Sequence, residues 1–215
     1  MTAEIKAIVF DMDGVLIDAR DWHYEALNRA LALLGYEITR YEHLTTYDGL
    51  PTGRKLQMLT VERGLPAELH GFLNSLKQQY TLELVATRCR PVFHHQYALA
   101  RLKAAGYQLG VASNSVRRTV EEMMERSDLM RYLDLIISNE DVARAKPDPE
   151  MYLTAMDRFG VSPGEMLIVE DNENGVQAAT AAGGNVMVVA GPDDVTLEAV
   201  EARIELAVAK RRAAA

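Results

Sequence analysis

Cysteine is nearly absent: Cys89 is the only one. That excludes a disulfide within the chain and leaves no Cys/His cluster with the spacing of a structural zinc site. A reducing cytoplasm suits such a chain, so a cytoplasmic location is expected. Long apolar runs are missing too. No stretch reaches the roughly 18 residues that a membrane span needs, and the N-terminus turns acidic at Glu4 and Asp11 without the regions of a secretory signal. No membrane partner is expected. A basic excess is also lacking: 23 Lys and Arg stand against 31 Asp and Glu, for a formal net charge of -8. Such a surface repels phosphate backbones, which argues against nucleic acid as a partner. Small anionic substrates stay open, because a bound divalent cation and a few local cations dominate the field inside a cleft. Internal repeats and low-complexity linkers are absent as well.

What is present is an ordinary folding composition. Hydrophobic residues make up 48% and charged residues 25% of the 215, enough for one full core, with or without a modest inserted module. Ile5 to Phe10 is an apolar run broken only by Lys6 and followed by Asp11, Asp13 and Gly14. A buried parallel strand opening onto a loop has this look. Gln108 to Ala112, Leu133 to Ile137, Met166 to Val169 and Asn185 to Ala190 repeat it. Helical patterns lie between: Phe93 to Ala105, Val116 to Arg126, Pro149 to Phe159 and Gly175 to Ala182, with Gly106, Gly160 and Gly183 as stops. This alternation predicts an α/β fold with a Rossmann-like parallel sheet, whose catalytic residues collect beyond the carboxyl ends of the strands. Residues 18–85 break the pattern. Trp22 to Leu34, Arg54 to Arg63 and Pro66 to Leu84 read as helices with no buried strand between them. They predict an inserted helical cap domain over 18–85, set in a core of 1–17 and 86–215 and covering the active site. Leu197 to Ala215 reads as a closing helix.

Four short pieces carry chemistry. Asp11 and Asp13 stand where the first strand stops, and alternate residues of an extended chain point the same way, so two carboxylates converge. Two like charges buried together are costly unless a metal or a functional acid explains them. Asp13-Gly14 alone reads equally as a turn. Glu170-Asp171 ends another apolar run, and two such sites make the oxygen-rich harbour that magnesium takes; the alternative is a loop start or a helix cap. Ser113-Asn114-Ser115 lies between a strand and a helix, where hydroxyls and backbone N–H groups hold phosphate. Ser115 is the one most naturally spent as a helix cap. Lys146-Pro147-Asp148-Pro149 offers a cation followed by a backbone stiffened by two prolines, or else a plain surface lysine.

In order, spacing and strand context these pieces resemble the haloacid dehalogenase-like superfamily of phosphohydrolases, in the branch of β-phosphoglucomutase and small sugar phosphatases. The resemblance spans residues 5–184. Phe10 to Val15 is similar to the first motif, and Leu167-Ile168-Val169-Glu170-Asp171, with Gly175-Val176 and Ala178-Ala179, to the fourth. It implies a magnesium-dependent phosphatase of a small phosphorylated metabolite, a sugar phosphate. It further implies Asp11 as the nucleophile that forms an aspartyl-phosphate and Asp13 as general acid, then base. Ser113, Asn114 and Lys146 would meet the phosphoryl group. Asp11, Asp13, Glu170 and Asp171 would surround Mg2+, with the carbonyl of Met12 or Asp13 as a ligand and the family pattern favouring Asp13. In the cap, it places His23 near the acid and leaves Arg54 as a substrate contact.

Two departures bear on the substrate. Relatives often read Asp-Ser-Glu-Pro-x-His after the first motif; here Asp18-Ala19-Arg20-Asp21-Trp22-His23 keeps Asp18 and His23 and lacks the hydroxyl. β-Phosphoglucomutases grip a second phosphate with a cap Gly-x-x-Arg segment, and Gly49-Leu50-Pro51-Thr52 puts threonine in the place of that arginine. Both move the expectation from mutase to hydrolase, with a mutase and a non-catalytic binding module as the alternatives. Asp13 and Glu170-Asp171 argue against a dehalogenase, which needs no magnesium. A phosphonate hydrolase forms an imine on a cap lysine, and Lys55 and Lys77 read as solvated. His43, His70, His94 and His95 read as surface or helix-packing residues, and Cys89 as structural. A monomer is expected.

Overall fold

The computed structural model describes residues 4–214. In chain order it runs β1 (Ala7–Phe10), α1 (Arg20–Ala32), α2 (Arg40–Glu42), α3 (Thr52–Arg63), α4 (His70–Arg88), α5 (Phe93–Ala104), β2 (Gln108–Ala112), α6 (Arg117–Arg126), β3 (Leu135–Ile137), α7 (Glu150–Phe159), β4 (Met166–Glu170), α8 (Glu173–Ala181), β5 (Asn185–Val188) and α9 (Leu197–Ala214). Two compact units divide it: Met1–Asp18 with Arg90–Ala215, and Ala19–Cys89. The second unit ends later than residue 85 because α4 continues to Arg88. Ala215, the expected end of the closing helix, lies outside the described residues.

The first unit holds one sheet of five parallel strands in the order β3-β2-β1-β4-β5. Every residue of β1 and β4 is buried, as covering both faces of a parallel sheet with helices requires. Alternation sends Ala7, Val9, Met166 and Ile168 to one face, where they pack with Met151, Tyr152 and Ala155 of α7 and Ala178 and Ala179 of α8. Ile8, Phe10, Leu167 and Val169, also buried, fall to the other face. The strand order reverses at β1, whose neighbours are β2 and β4. Outside the carboxyl ends at such a switch point lies the usual ligand crevice of an open α/β sheet.

β3 is shorter than the apolar run Leu133 to Ile137. Leu133 closes a turn on the Met130 carbonyl, and the Asp134 carboxylate takes the N–H of Leu109 at 3.0 Å. β4, by contrast, is one residue longer and ends on Glu170 itself.

The second unit is helical, with no strand among its described residues. Leu27, Ala30 and Leu31 of α1, Leu56 and Leu59 of α3, and Leu73 of α4 share a buried cluster with Ile38, Tyr47 and Leu65. A π-helical turn, His43–Tyr47, follows α2; neither was foreseen. Among the described residues no helix is long and apolar enough to cross a membrane.

Candidate active site

Asp11 directly follows β1, and its N–H donates to the Val169 carbonyl at 2.9 Å, tying the strand exit to β4. Asp11 and Glu170 are buried. Lys146 arrives from the loop between β3 and α7, after which the Lys146–Pro147 bond is cis. Its ammonium donates to Asp11 Oδ1 at 2.6 Å, to Glu170 Oε1 at 2.6 Å and to the Ala112 carbonyl at 2.8 Å. These contacts use all three protons, so Lys146 meets a phosphoryl oxygen only by exchanging one of them. Burial raises the Asp11 carboxyl well above its usual range; Lys146 opposes this, and Glu170 and Asp13 add to it. Burial would lower Lys146, but Asp11 and Glu170 outweigh it and hold the ammonium above its ordinary value.

Asp11, Glu170 and Asp171 each present a carboxylate oxygen within 4.8 Å of the others. Two glycines make room for this trio. A Cβ on Gly14 would stand 2.0 Å from Asp171 Oδ2, and Gly14 has φ +88°. A Cβ on Gly175 would stand 2.0 Å from Glu170 Oε1. Asn172 caps α8 by accepting the Gly175 N–H at 3.0 Å and donates to Asp171 Oδ1 at 3.0 Å. The positive end of the α8 dipole therefore faces both carboxylates. The Asp13 carboxylate stands outside the trio and accepts the Ser115 hydroxyl at 3.1 Å. Between the two backbone oxygens considered for a metal, that of Met12 already accepts N–H groups from Val15, Leu16 and Ile17, at 3.3, 3.0 and 2.9 Å.

One reading of the Ser113-Asn114-Ser115 piece needs correction, that of Ser115. The side chain of Asn114 is turned to Lys146: Oδ1 accepts the Lys146 N–H at 3.0 Å and Nδ2 donates to the Lys146 carbonyl at 3.3 Å. Both ends of the amide are spent on clamping the backbone of Lys146. Ser115 is not a helix cap, because α6 begins at Arg117 with Val116 before it; its hydroxyl serves Asp13. Ser113 is buried, and its Oγ accepts the Ser115 N–H at 3.1 Å.

Tyr152 and Asp141 were missed. The Tyr152 hydroxyl donates to Glu170 Oε1. Burial, then the charges of Glu170 and Asp11, raise the phenol well above its usual range, so it stays a donor. Asp141 braces the loop that carries Lys146. It accepts the Ser138 N–H and hydroxyl, both at 2.8 Å, and Arg117 at 2.6 Å. Burial pushes its carboxyl up, but Ser138, Arg117 and Arg158 outweigh that and hold it well below the carboxylate range.

In the helical unit, Arg54 is exposed while Lys55 is buried. Lys55 and Lys77 are 7% and 6% exposed, which overturns their reading as solvated residues. Lys77 Nζ lies 3.1 Å from His23 Nδ1, and His43 is enclosed against the Tyr24 ring.

A buried carboxylate backed by a lysine, with two further carboxylates at the neighbouring strand end, defines a group-transfer site suited to a metal in an α/β fold. Residues 8–189 match the family model described as haloacid dehalogenase-like hydrolase, and the chain belongs to that family. It is 31% identical over 182 residues to a phosphorylated carbohydrates phosphatase of Thermotoga maritima, covering 83% of this chain and 82% of the relative. It is 31% identical over 195 residues to a phosphoglycolate phosphatase of Nitrosospira multiformis, covering 86% and 83%. The crystal structure of β-phosphoglucomutase from Clostridium difficile superposes with a TM-score of 0.82 over 95% of this chain and 99% of that one, at 18% identity, a likeness of fold.

Proposed function

We propose that this chain is a magnesium-dependent phosphatase of a small phosphorylated metabolite, a sugar phosphate or an ester of similar size, with Asp11 as nucleophile. The observation that carries this reading is the convergence of Asp11, Glu170 and Asp171 within 4.8 Å of one another, with the Lys146 ammonium on two of them. The two phosphatase relatives support the class of substrate.

The donor set fits a small hard cation. An all-oxygen set suits Mg2+, which takes carboxylates together with retained waters and phosphate oxygens, and this trio supplies the carboxylates. Burial, then the neighbouring charges of Glu170 and Asp13, raise the Asp11 carboxyl against the pull of Lys146, and a cation at the trio would oppose that rise. Asp11, Glu170 and Asp171, with the carbonyl of Asp13, would hold the ion. Bound there, it would neutralise phosphoryl charge and keep Asp11 ionised.

The residues of the chain then do the following. The Asp11 carboxylate attacks phosphorus as the bond to the ester oxygen breaks, and Asp13 gives that oxygen its proton. In the second step Asp13 takes a proton from water, whose oxygen attacks the same phosphorus; inorganic phosphate leaves and the Asp11 carboxylate is restored. Lys146 and Ser113 hold the phosphoryl oxygens, and Ser115 holds Asp13 between the two proton transfers. Recognition of the remainder of the substrate is assigned to the helical unit as a cap, with His23 and Arg54 as its contacts.

Phosphate release from an aryl phosphate tests this. The parent protein should turn over only with magnesium, and Asp11→Asn should lose about a thousandfold or more. A parent that hydrolyses no phosphate ester in magnesium would overturn the reading. Conversion of a sugar 1-phosphate to its 6-phosphate isomer, in place of free sugar, would replace it with a mutase.

A further inference from the structure

Tyr152 belongs to none of the four sequence pieces, yet it touches both charged groups behind Asp11. It lies in the first turn of α7, fully buried, and its N–H donates to the Pro149 carbonyl at 3.0 Å. The turn through Pro147 and Pro149 thus brings its side chain back to Lys146. The Lys146 ammonium stands 4.8 Å from the centre of the Tyr152 ring, within reach of its negative face. The hydroxyl meets Glu170 Oε1, the same oxygen that accepts Lys146. Glu170 Oε2 accepts the Asp171 N–H at 3.2 Å, with Asn172 Nδ2 at 3.5 Å.

We infer that Tyr152 is a positioning residue of this active site: its hydroxyl fixes the rotation of the Glu170 carboxylate while its ring bounds the Lys146 ammonium. The last torsion of a glutamate is broad and close to two-fold, so burial alone does not choose its carboxylate plane. The two close donors on Oε1 do, with the longer contacts on Oε2 beside them. The plane decides where Glu170 meets a metal and where it holds Lys146, and Lys146 in turn orients Asp11. Without the hydroxyl, the buried carboxylate loses one of its two donors on Oε1, and Lys146 with the longer contacts on Oε2 is left to resist its rotation. The inference rests on the phosphatase reading for its kinetic part and on the metal fit for its binding part.

The test pairs calorimetric titration of Mg2+ with steady-state hydrolysis of an aryl phosphate, on the parent, Tyr152→Phe, Glu170→Gln and the double variant. Tyr152→Phe keeps the ring and removes the hydroxyl. It should weaken Mg2+ binding about 10- to 100-fold, the range for partners that orient metal ligands, and lower kcat while KM for the ester stays within about threefold. In the Glu170→Gln background the same change should have little further effect on Mg2+ affinity, because the group it orients is gone. Parent Mg2+ affinity and kcat in folded Tyr152→Phe would overturn the inference. So would a loss of melting temperature alone, or equal losses in both backgrounds, each of which marks a merely structural tyrosine. Calorimetry needs no turnover: if the parent binds Mg2+ but hydrolyses nothing, the phosphatase reading falls while the affinities still decide Tyr152.

Discussion

Asn114 shows how far the work of a residue can lie from its chemical type. An amide beside a phosphate site suggests a donor to phosphate, but this one is matched at both ends by the backbone of Lys146, at 3.0 and 3.3 Å. Lys146 is a long chain whose tip must reach two carboxylates, so an error at its backbone is carried to its ammonium. A misplacement near 1 Å can cost about 100-fold in rate. Asn114→Ala should therefore lower kcat by about 10- to 100-fold with little change in KM for the ester. Asn114→Asp keeps the acceptor for the Lys146 N–H and should recover part of the loss. Equal kinetics for parent and Asn114→Ala would sink the clamp. Gly14 is the opposite case, plain in type and specific in need: its positive φ and the closeness of Asp171 both demand the absence of a Cβ. Asp11, Lys146 and Glu170-Asp171 were legible because each ends a strand run or follows a recognisable break. Asn114, Ser115 and Tyr152 were not, since the partners that define them stand 32, 102 and 18 residues away in sequence.

Elements were legible where periodicity runs long enough to be read. The buried strands β1, β2 and β4 and the helices α5, α7 and α8 announce themselves by apolar runs and glycine stops. The one-turn α2 and the π turn His43–Tyr47 are too short to show a period, and the π turn holds a buried histidine that is sensitive to pH. His43 is 1% exposed, and burial, then the Lys55 charge, lower its pKa from the usual 6.5 to about 4, against the pull of Asp48. The folded form thus favours the neutral ring. Its contribution is complete above about pH 6.5 and is lost as pH falls towards 4, at about 1.4 kcal/mol for each unit of separation. The parent should lose melting temperature across that window, and His43→Phe should lose less of it. His95, lowered by burial in the same direction, stays in both proteins and cancels from the difference. Parallel melting curves from pH 7 to 4.5 would show that His43 contributes nothing to the acid sensitivity.

At the scale of the whole molecule, the two units differ in how the chain builds them. The core needs β1 from residues before the helical unit, held between β2 and β4 from residues after it. The residues of its candidate site are likewise gathered from both sides, Asp11 and Asp13 from one and Ser113, Lys146, Glu170 and Asp171 from the other. The helical unit is one continuous stretch with an apolar cluster of its own. That division was legible in outline, since only residues 18–85 lack strand runs, but the identity of the buried groups was not: Lys55 and Lys77 look solvated until tertiary packing encloses them. If the core does the chemistry and the helical unit chooses the substrate, the two properties separate by excision. Replacing residues 19–89 with a short Gly/Ser linker should leave a chain that melts cooperatively and binds Mg2+ within about tenfold of the parent, because the carboxylate trio is intact. Its kcat/KM for the best phosphorylated metabolite should fall towards that for a simple aryl phosphate. A shortened chain that folds but no longer binds Mg2+ would mean that the excised unit sustains the metal site, and one that keeps the parent's selectivity would move specificity into the core.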